Sequence, residues 1–298
     1  MADDFIRGEM LSAHTSFCVG GPASYFLRPE GRNFLEAARR VREKVRKEGL
    51  PLFILGGGAN VLASDAGFCG IVLDTTGFSG VRLEKGKSYS KLAVRAGTSS
   101  DNLAEFAAGL SLSGLEFLAG LPGTAGGAVW MNARCYEKSI SDVLDGVTFM
   151  DEHGAIFSEP FSPSGWDYKK SPFQNKNLII LEAFFRVNAG NSRDIQDKME
   201  RYRADRRAKG HFSHPSAGSV FKNNREFGKP SGQIIEELGL RGTQIGGARV
   251  ADHHGNFIIN TGGASAADIR ALISLIEEKA RSELGIKLEP EIIFLGQH

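Results

Sequence analysis

The feature that most restricts the fold is a glycine cluster placed at the end of an apolar run. Leu52-Phe53-Ile54-Leu55 stops at Gly56-Gly57-Gly58-Ala59-Asn60, and a second apolar run, Ile71-Val72-Leu73, follows Gly70. Short apolar runs bounded by glycine read as buried strands. Consecutive small residues between them let backbone N–H groups turn inward and approach an anion without Cβ collisions. Upstream, Asn33 to Glu48 carries Phe34, Leu35, Ala38, Val41 and Val45 at mostly three- and four-residue spacing among many Arg and Lys. That is the pattern of a helix with one buried stripe and a solvated basic face. The N-terminal part therefore reads as helix, strand, glycine loop, strand.

From about residue 80 to 187 the chain becomes strand-like and glycine-punctuated, with Leu92–Ala96, Gly146–Met150, Leu178–Leu181 and Phe184–Val187 as strand candidates and a short helix around Asp101 to Leu110. Asn188-Ala189-Gly190-Asn191 reads as a linker, and Ser192 as the cap of a helix that runs to about Arg207 with Ile195, Met199 and Tyr202 on one side. The last helix is the best defined. Ser265-Ala266-Ala267-Asp268 makes a capping-box start, and Ile269, Leu272, Ile273, Ile276 and Ala280 keep helical spacing until Gly285. The expected class is α+β, with domains at 1–74, 75–190 and 191–298 and a last strand able to pack back on the first.

Lys+Arg of 36 against Asp+Glu of 35 gives a formal charge of +1, so no global field draws the protein to nucleic acid or anionic lipid. Any anion site must be local. The three cysteines, Cys18, Cys69 and Cys135, are far apart and odd in number, which speaks against a disulfide framework and for a reducing compartment. No segment approaches the ~18 apolar residues of a membrane span, so a cytoplasmic protein, expected to be a monomer, is the reading.

Gly56–Asn60 is a candidate pyrophosphate cradle. It is neither a dinucleotide fingerprint, since the third glycine position falls on Val61, nor a phosphate loop ending in Gly-Lys-Ser/Thr. A plain tight turn accounts for it as well. A second cluster, Gly120-Leu121-Pro122-Gly123-Thr124-Ala125-Gly126-Gly127-Ala128, precedes Val129-Trp130-Met131-Asn132, and ordinary turns would again suffice. A third segment, Ala217-Gly218-Ser219-Val220-Phe221-Lys222-Asn223, groups a hydroxyl, an ammonium and an amide, with Lys209 upstream. Ser219 there is either a general acid or structural. Near the end, Glu289-Pro290-Glu291 places two carboxylates at the mouth of an apolar strand, one to face solvent and one a site. His211, His214, His253 and His254 lack the companions of a metal site and read as surface or hydrogen-bonded histidines.

Taken in order, these segments resemble the UDP-N-acetylenolpyruvoylglucosamine reductase family over about His14 to Gly296. His14-Thr15-Ser16-Phe17 with Gly20-Gly21-Pro22-Ala23 looks like its N-terminal signature. Leu55, Gly56, Gly57, Gly58, Ala59, Asn60, Val61 and Leu62 look like its first FAD loop, and Pro122, Gly123, Thr124, Gly126, Gly127 and Asn132 like its second. The resemblance implies a two-domain FAD-binding region of the vanillyl-alcohol-oxidase type, with FAD between the two, plus a C-terminal substrate domain. It implies Ser219 as proton donor, Glu291 as active-site glutamate, and Tyr168, Lys209, Lys222, Asn223 and Gln233 as holders of a UDP-sugar.

The resemblance further implies NADPH as hydride donor, with reduction of UDP-N-acetylglucosamine enolpyruvate in peptidoglycan precursor synthesis. Two departures stand out. Lys169, in Tyr168-Lys169-Lys170-Ser171, stands where the family has arginine, exchanging a rigid two-pronged guanidinium for a mobile point charge. Arg134-Cys135-Tyr136-Glu137 stands where the family has small residues beside the tyrosine. The short stretch between Tyr168 and Arg203 resembles the branch without an extra substrate loop. Two other functions remain compatible with the glycine loops: a different FAD-linked oxidoreductase of the same superfamily, and a non-catalytic nucleotide-binding module.

Overall fold

A computed structural model describes residues 5–86 and 89–297, arranged as two compact units. In its described residues the first comprises Phe26–Gly57 and Ile71–Asp205, and the second Phe5–Tyr25, Gly58–Gly70 and Arg206 onward. Each has its own apolar core. No helix among the described residues is long and apolar enough to cross a membrane.

The first unit opens with α1 (Phe34–Glu48), which Gly49 ends in a left-handed conformation at φ 65°. Its buried residues are Phe34, Ala37, Ala38, Val41 and Arg42, so the stripe is rotated from the expected one and the basic face is not wholly solvated. Arg42 is the exception: its Nη2 donates to the carbonyl of Asn177 at 2.7 Å, and burial lowers its pKa despite the opposing field of Asp151 and Glu152. Strand Leu52–Leu55 then pairs in parallel with Ile71–Asp74.

The rest of this unit is an antiparallel sheet in the order Ile156–Pro160, Leu144–Met150, Ile179–Ala189, Ser90–Arg95, Val81–Lys85. The two expected strands at 178–187 are one strand. It continues through Asn188 and Ala189, which pair with Ser113 and Leu112, so half of the expected linker is strand. Helix α2 (Ser100–Gly109) starts where the Ser99 hydroxyl accepts the N–H of Asn102, and the shorter α3 (Ala125–Met131) takes in the second half of the second glycine cluster.

Helix α4 (Ser192–Ala208) is capped differently from expectation. The Asn191 side chain, not Ser192, accepts the N–H groups of Arg193 and Asp194, at 2.9 and 3.3 Å. Either residue type can cap; the end of the preceding strand places Asn191 at the position from which a side-chain oxygen reaches those donors. Ile195 and Met199 are buried as the spacing implied.

In the second unit, Glu9–Met10 pairs with Pro22–Ala23, and the three-stranded sheet Gln244–Ile245, Ala248–Val250, Ile258–Asn260 packs with α5 (Ser231–Glu237) and α6 (Ala266–Leu284). The capping box of α6 forms as read from the sequence, with Gly285 ending the helix at φ 67°. Asp65 adds to it by accepting the N–H groups of Ala266 and Ala267 at 2.7 and 2.9 Å, a carboxylate at the positive end of the helix. Val61–Ala63 pairs in parallel with Ile293–Leu295.

The α4 cap gives a test. Asn191→Ala should lower stability by about 1 kcal/mol, the usual cost of removing a side-chain cap, whereas Ser192→Ala should stay within about 0.5 kcal/mol. Thermal or urea unfolding of the two variants checks the assignment, and the reverse ranking contradicts it.

Candidate active site

The residues singled out from the sequence fall into two groups, one in each unit. In the first unit, Leu55 ends its strand buried, its carbonyl accepting both the N–H and the hydroxyl of Thr75 at 2.8 and 3.0 Å. Gly56 and Gly57 then run directly against the second glycine cluster. A Cβ on Gly57 would lie 2.8 Å from the Cα of Gly123, and one on Gly56 would lie 2.6 Å from Thr124 Oγ1. Glycine is required at 57 because backbone touches backbone, and at 56 because a Cβ would collide with the capping hydroxyl of Thr124.

Thr124 is the N-cap of α3, its hydroxyl accepting from the N–H of Gly127 at 3.4 Å, and Gly126 donates to the carbonyl of Ala96 at 2.9 Å. Pro122 and Gly127 are exposed while Gly126 is buried. Two glycine loops in contact, one leading into a helix N-terminus, form a surface of closely spaced backbone on which an anionic group can approach without meeting side chains. These residues fit a pyrophosphate.

At the other end of α3, Asn132 caps the helix in the left-handed conformation at φ 44°. Its buried side chain donates to the carbonyl of Asp167 at 2.8 Å and accepts the N–H of Ser141 at 3.0 Å. The adjacent carbonyl of Trp130 accepts from Ser171 Oγ at 2.7 Å. The Tyr168–Ser171 turn is thereby tied to the helix that follows the glycine loop. Tyr168 is exposed, and Lys169 adopts φ 55° with its ammonium 6.0 Å from the Tyr168 ring centroid and its carbonyl accepting from Gln174.

The unusual Arg134–Glu137 segment is a tight hairpin. Cys135 pairs with Lys138, and the two turn residues, Tyr136 and Glu137, both have positive φ, at 49° and 65°. Tyr136 stacks on Tyr202 of α4 at 3.9 Å and its hydroxyl lies 3.1 Å from Asp205 Oδ2. The ring stack anchors the turn through Tyr136 itself, and of the bulkier residues beside it Arg134 donates from Nη1 to Ser139 Oγ at 3.3 Å across the hairpin.

In the second unit, Gly58 has φ 61° and lies so close to His14 that a Cβ would overlap that residue's carbonyl oxygen. The Gly58 carbonyl accepts the N–H of Ser16 at 3.1 Å, which joins the loop to the His14–Phe17 signature. Ala59 follows partly buried, and Val61 and Leu62 are buried. Asn60 reaches further: its Nδ2 donates to the carbonyl of Glu291 at 3.0 Å, while its own carbonyl accepts the N–H of Ile293 at 2.9 Å. Glu291 is 8% exposed, whereas the side chain of Glu289 is 68% exposed. One carboxylate is therefore interior and the other in solvent, and it is Glu291 that turns inward.

The Ser219 segment lies against the same strand. Phe221 bridges to Pro290, and Glu291 N–H donates to the carbonyl of Val220 at 2.7 Å. Ser219 itself bridges to Phe257 and is half-buried. Lys222 pairs with Glu289 at 2.5 Å, and Asn223 Oδ1 accepts the N–H of Ser231 at 2.9 Å, so this side chain also caps α5. Gln233 is exposed on α5 and donates to Glu237, and Lys209 is exposed at the end of α4. The structure thus brings Asn60, Ser219, Lys222, Asn223 and Glu291 into one hydrogen-bonded framework, while Gln233 stands on α5, the helix whose first N–H Asn223 holds.

Sequence reasoning missed Asn256. It is 3% exposed, and its side chain accepts the N–H and donates to the carbonyl of Phe221, both at 2.8 Å. Its backbone carbonyl also accepts the N–H of Val220 at 2.9 Å. An asparagine in a turn between His254 and Phe257 carries no local pattern that would reveal a partner 35 residues away. Among the described residues no group of three or more His, Cys, Asp or Glu side chains is placed to hold a metal.

Residues 34–158 match the family model of an FAD binding domain, and residues 210–295 that of the UDP-N-acetylenolpyruvoylglucosamine reductase C-terminal domain. The UDP-N-acetylenolpyruvoylglucosamine reductase of Treponema denticola is 44% identical over 96% of this chain and 92% of its own, and that of Borreliella burgdorferi 40% identical over 96% and 93%. The crystal structure of the Thermus caldophilus enzyme superposes with a TM-score of 0.82 at 32% identity, covering 98% of this chain and 100% of that one. Identity, coverage and a shared α+β fold together establish that the chain belongs to the UDP-N-acetylenolpyruvoylglucosamine reductase family.

Proposed function

We propose that this protein reduces UDP-N-acetylglucosamine enolpyruvate to UDP-N-acetylmuramate, with NADPH as hydride donor, as a cytoplasmic step in peptidoglycan precursor synthesis. The observation that carries the reading is the Asn60 amide bonded to the Glu291 backbone, beside the segment that bears Ser219. The Asn60 side chain is thereby tied to Glu291, whose N–H in turn donates to the carbonyl of Val220, the residue next to Ser219.

FAD, held by Gly56–Leu62 and by Pro122–Asn132, would supply the chemistry of passing hydride from NADPH to the methylene carbon of the enolpyruvyl group. The chain's own residues act on the charge and proton that this leaves. Hydride addition at the methylene carbon builds negative charge on the neighbouring carbon and its carboxylate, so the task is to stabilise that charge and quench it with a proton. Ser219 is the donor of that proton. Lys169 contributes a positive charge toward the carboxylate and Glu291 a carboxyl held in a buried position.

Tyr168, Lys209, Lys222, Asn223 and Gln233 hold the UDP-sugar. The Lys222–Glu289 pair is exposed on its acidic side, so a diphosphate can compete for the ammonium at small cost. Asn223 offers its amide nitrogen to a ligand while its oxygen stays on α5.

The purified protein should be yellow, bleach anaerobically on adding NADPH, and recolour on adding UDP-N-acetylglucosamine enolpyruvate. A protein that binds no flavin, or a bleached one indifferent to the sugar, overturns the reading. Ser219→Ala should leave bleaching intact and slow recolouring by about 10²–10⁴-fold, the usual loss of a positioned proton donor, as read by stopped-flow absorbance. Gly57→Ala forces a methyl against the Gly123 backbone and should yield protein with little bound flavin, measured as the ratio of visible to ultraviolet absorbance.

A further inference from the structure

Phe221 is held by one side chain at both of its backbone polar groups, the Asn256 amide taking the place of a neighbouring strand. Both residues are buried, Phe221 at 1% and Asn256 at 3% exposure, so neither bond can be exchanged for water without rearrangement. Asn256 is itself fixed: its N–H donates to His254 Nδ1 at 3.1 Å. Burial lowers the pKa of His254 against the raising field of Glu236, which keeps the ring neutral and Nδ1 able to accept. Gly255, between them, donates to Glu236 Oε1 at 3.2 Å and so fastens the turn to α5.

We propose that Asn256 is a positioning residue that fixes Ser219 for proton delivery by clamping the Phe221 peptide, with His254 holding Asn256 in place. Ser219 has only one residue between it and that clamp, and the hydroxyl's location follows the peptide that carries it. The backbone carbonyl of residue 256 keeps its bond to Val220 in any side-chain variant, so substitution releases the clamp without removing the turn. A displacement of about 1 Å of a reacting group can cost on the order of 10²-fold. The clamp therefore acts on the proton-delivery step and not on flavin reduction. This inference rests on the assignment of Ser219 as the proton donor.

The test uses Asn256→Ala, which removes both bonds, and Asn256→Asp, which keeps the volume and sets a carboxylate against the Phe221 carbonyl. In the FAD-bound protein, stopped-flow bleaching by NADPH should stay within about twofold of wild type, and recolouring by the enolpyruvyl sugar should slow by about 10- to 100-fold. Exchange of the Phe221 amide hydrogen should quicken in both variants, a readout independent of turnover. The double variant with Ser219→Ala should recolour no more slowly than Ser219→Ala alone, since one residue acts through the other.

Recolouring at the wild-type rate in both Asn256 variants, equal slowing of both half-reactions, or multiplied effects in the double variant would each overturn the proposal. If Ser219→Ala alone recolours normally, the proton-donor assignment fails and the inference with it. If Ser219→Ala is slow while the Asn256 variants are fast, the inference alone fails.

Discussion

The second unit depends on a single piece of strand pairing between residues far apart in the chain. Val61–Ala63 runs parallel to Ile293–Leu295, and Asn60 extends that ladder at its N-terminal end, its carbonyl accepting from Ile293 and its side-chain amide donating to the carbonyl of Glu291. Parallel pairing has no hairpin to enforce it, so its register must come from elsewhere. The Asn60 amide supplies part of that register, and the Ser64 N–H to Leu295 carbonyl bond at 2.8 Å the rest. With 291–295 fixed, the 219–222 segment has a strand edge to lie on. Its other side is closed by the turn that carries Asn256.

The first unit depends on a contact of a different kind. Gly57 meets Gly123 backbone to backbone, and Gly56 lies against the Thr124 hydroxyl, approaches that leave no room for a Cβ on either glycine of the first loop. Helix α3 starts at that contact and ends at Asn132, whose side chain bonds both residue 141 and residue 167. The glycine loop, the helix and the Tyr168–Ser171 turn are therefore one mechanical element. That explains why Lys169 sits in a turn with φ 55° rather than in a regular strand: the turn is shaped by the bonds of Asn132 and Ser171 to α3 and its end, and Lys169 takes the conformation left to it.

Much of this was legible in the chain because it rests on local rules. The α6 capping box is written in Ser265 and Asp268, and Gly285 supplies its stop. The strand before the first glycine cluster follows from four apolar residues bounded by glycine, whereas the carboxylate pair flanking proline left open which of the two turns inward, and the fold buries Glu291. Local rules also misled at two places. Ser192 and Asn191 are equally good caps, and only the end of the preceding strand decided that Asn191 would serve. The basic face of α1 looked solvated, yet the Asn177 carbonyl draws Arg42 into the interior.

The sequence by itself determined the α+β class, the positions of both glycine loops and the residue types that surround the chemistry, because periodicity, turn chemistry and glycine placement act over a few residues. The tertiary structure alone decided which of those residues touch. The Asn60–Glu291 bond spans 231 positions and the Asn256–Phe221 clamp 35, and no pattern within a strand or turn encodes such distances. Hydrogen bonds between remote segments form only after the cores have fixed both backbones, so an asparagine that reads as an ordinary turn residue becomes the partner that holds the Ser219 segment in place.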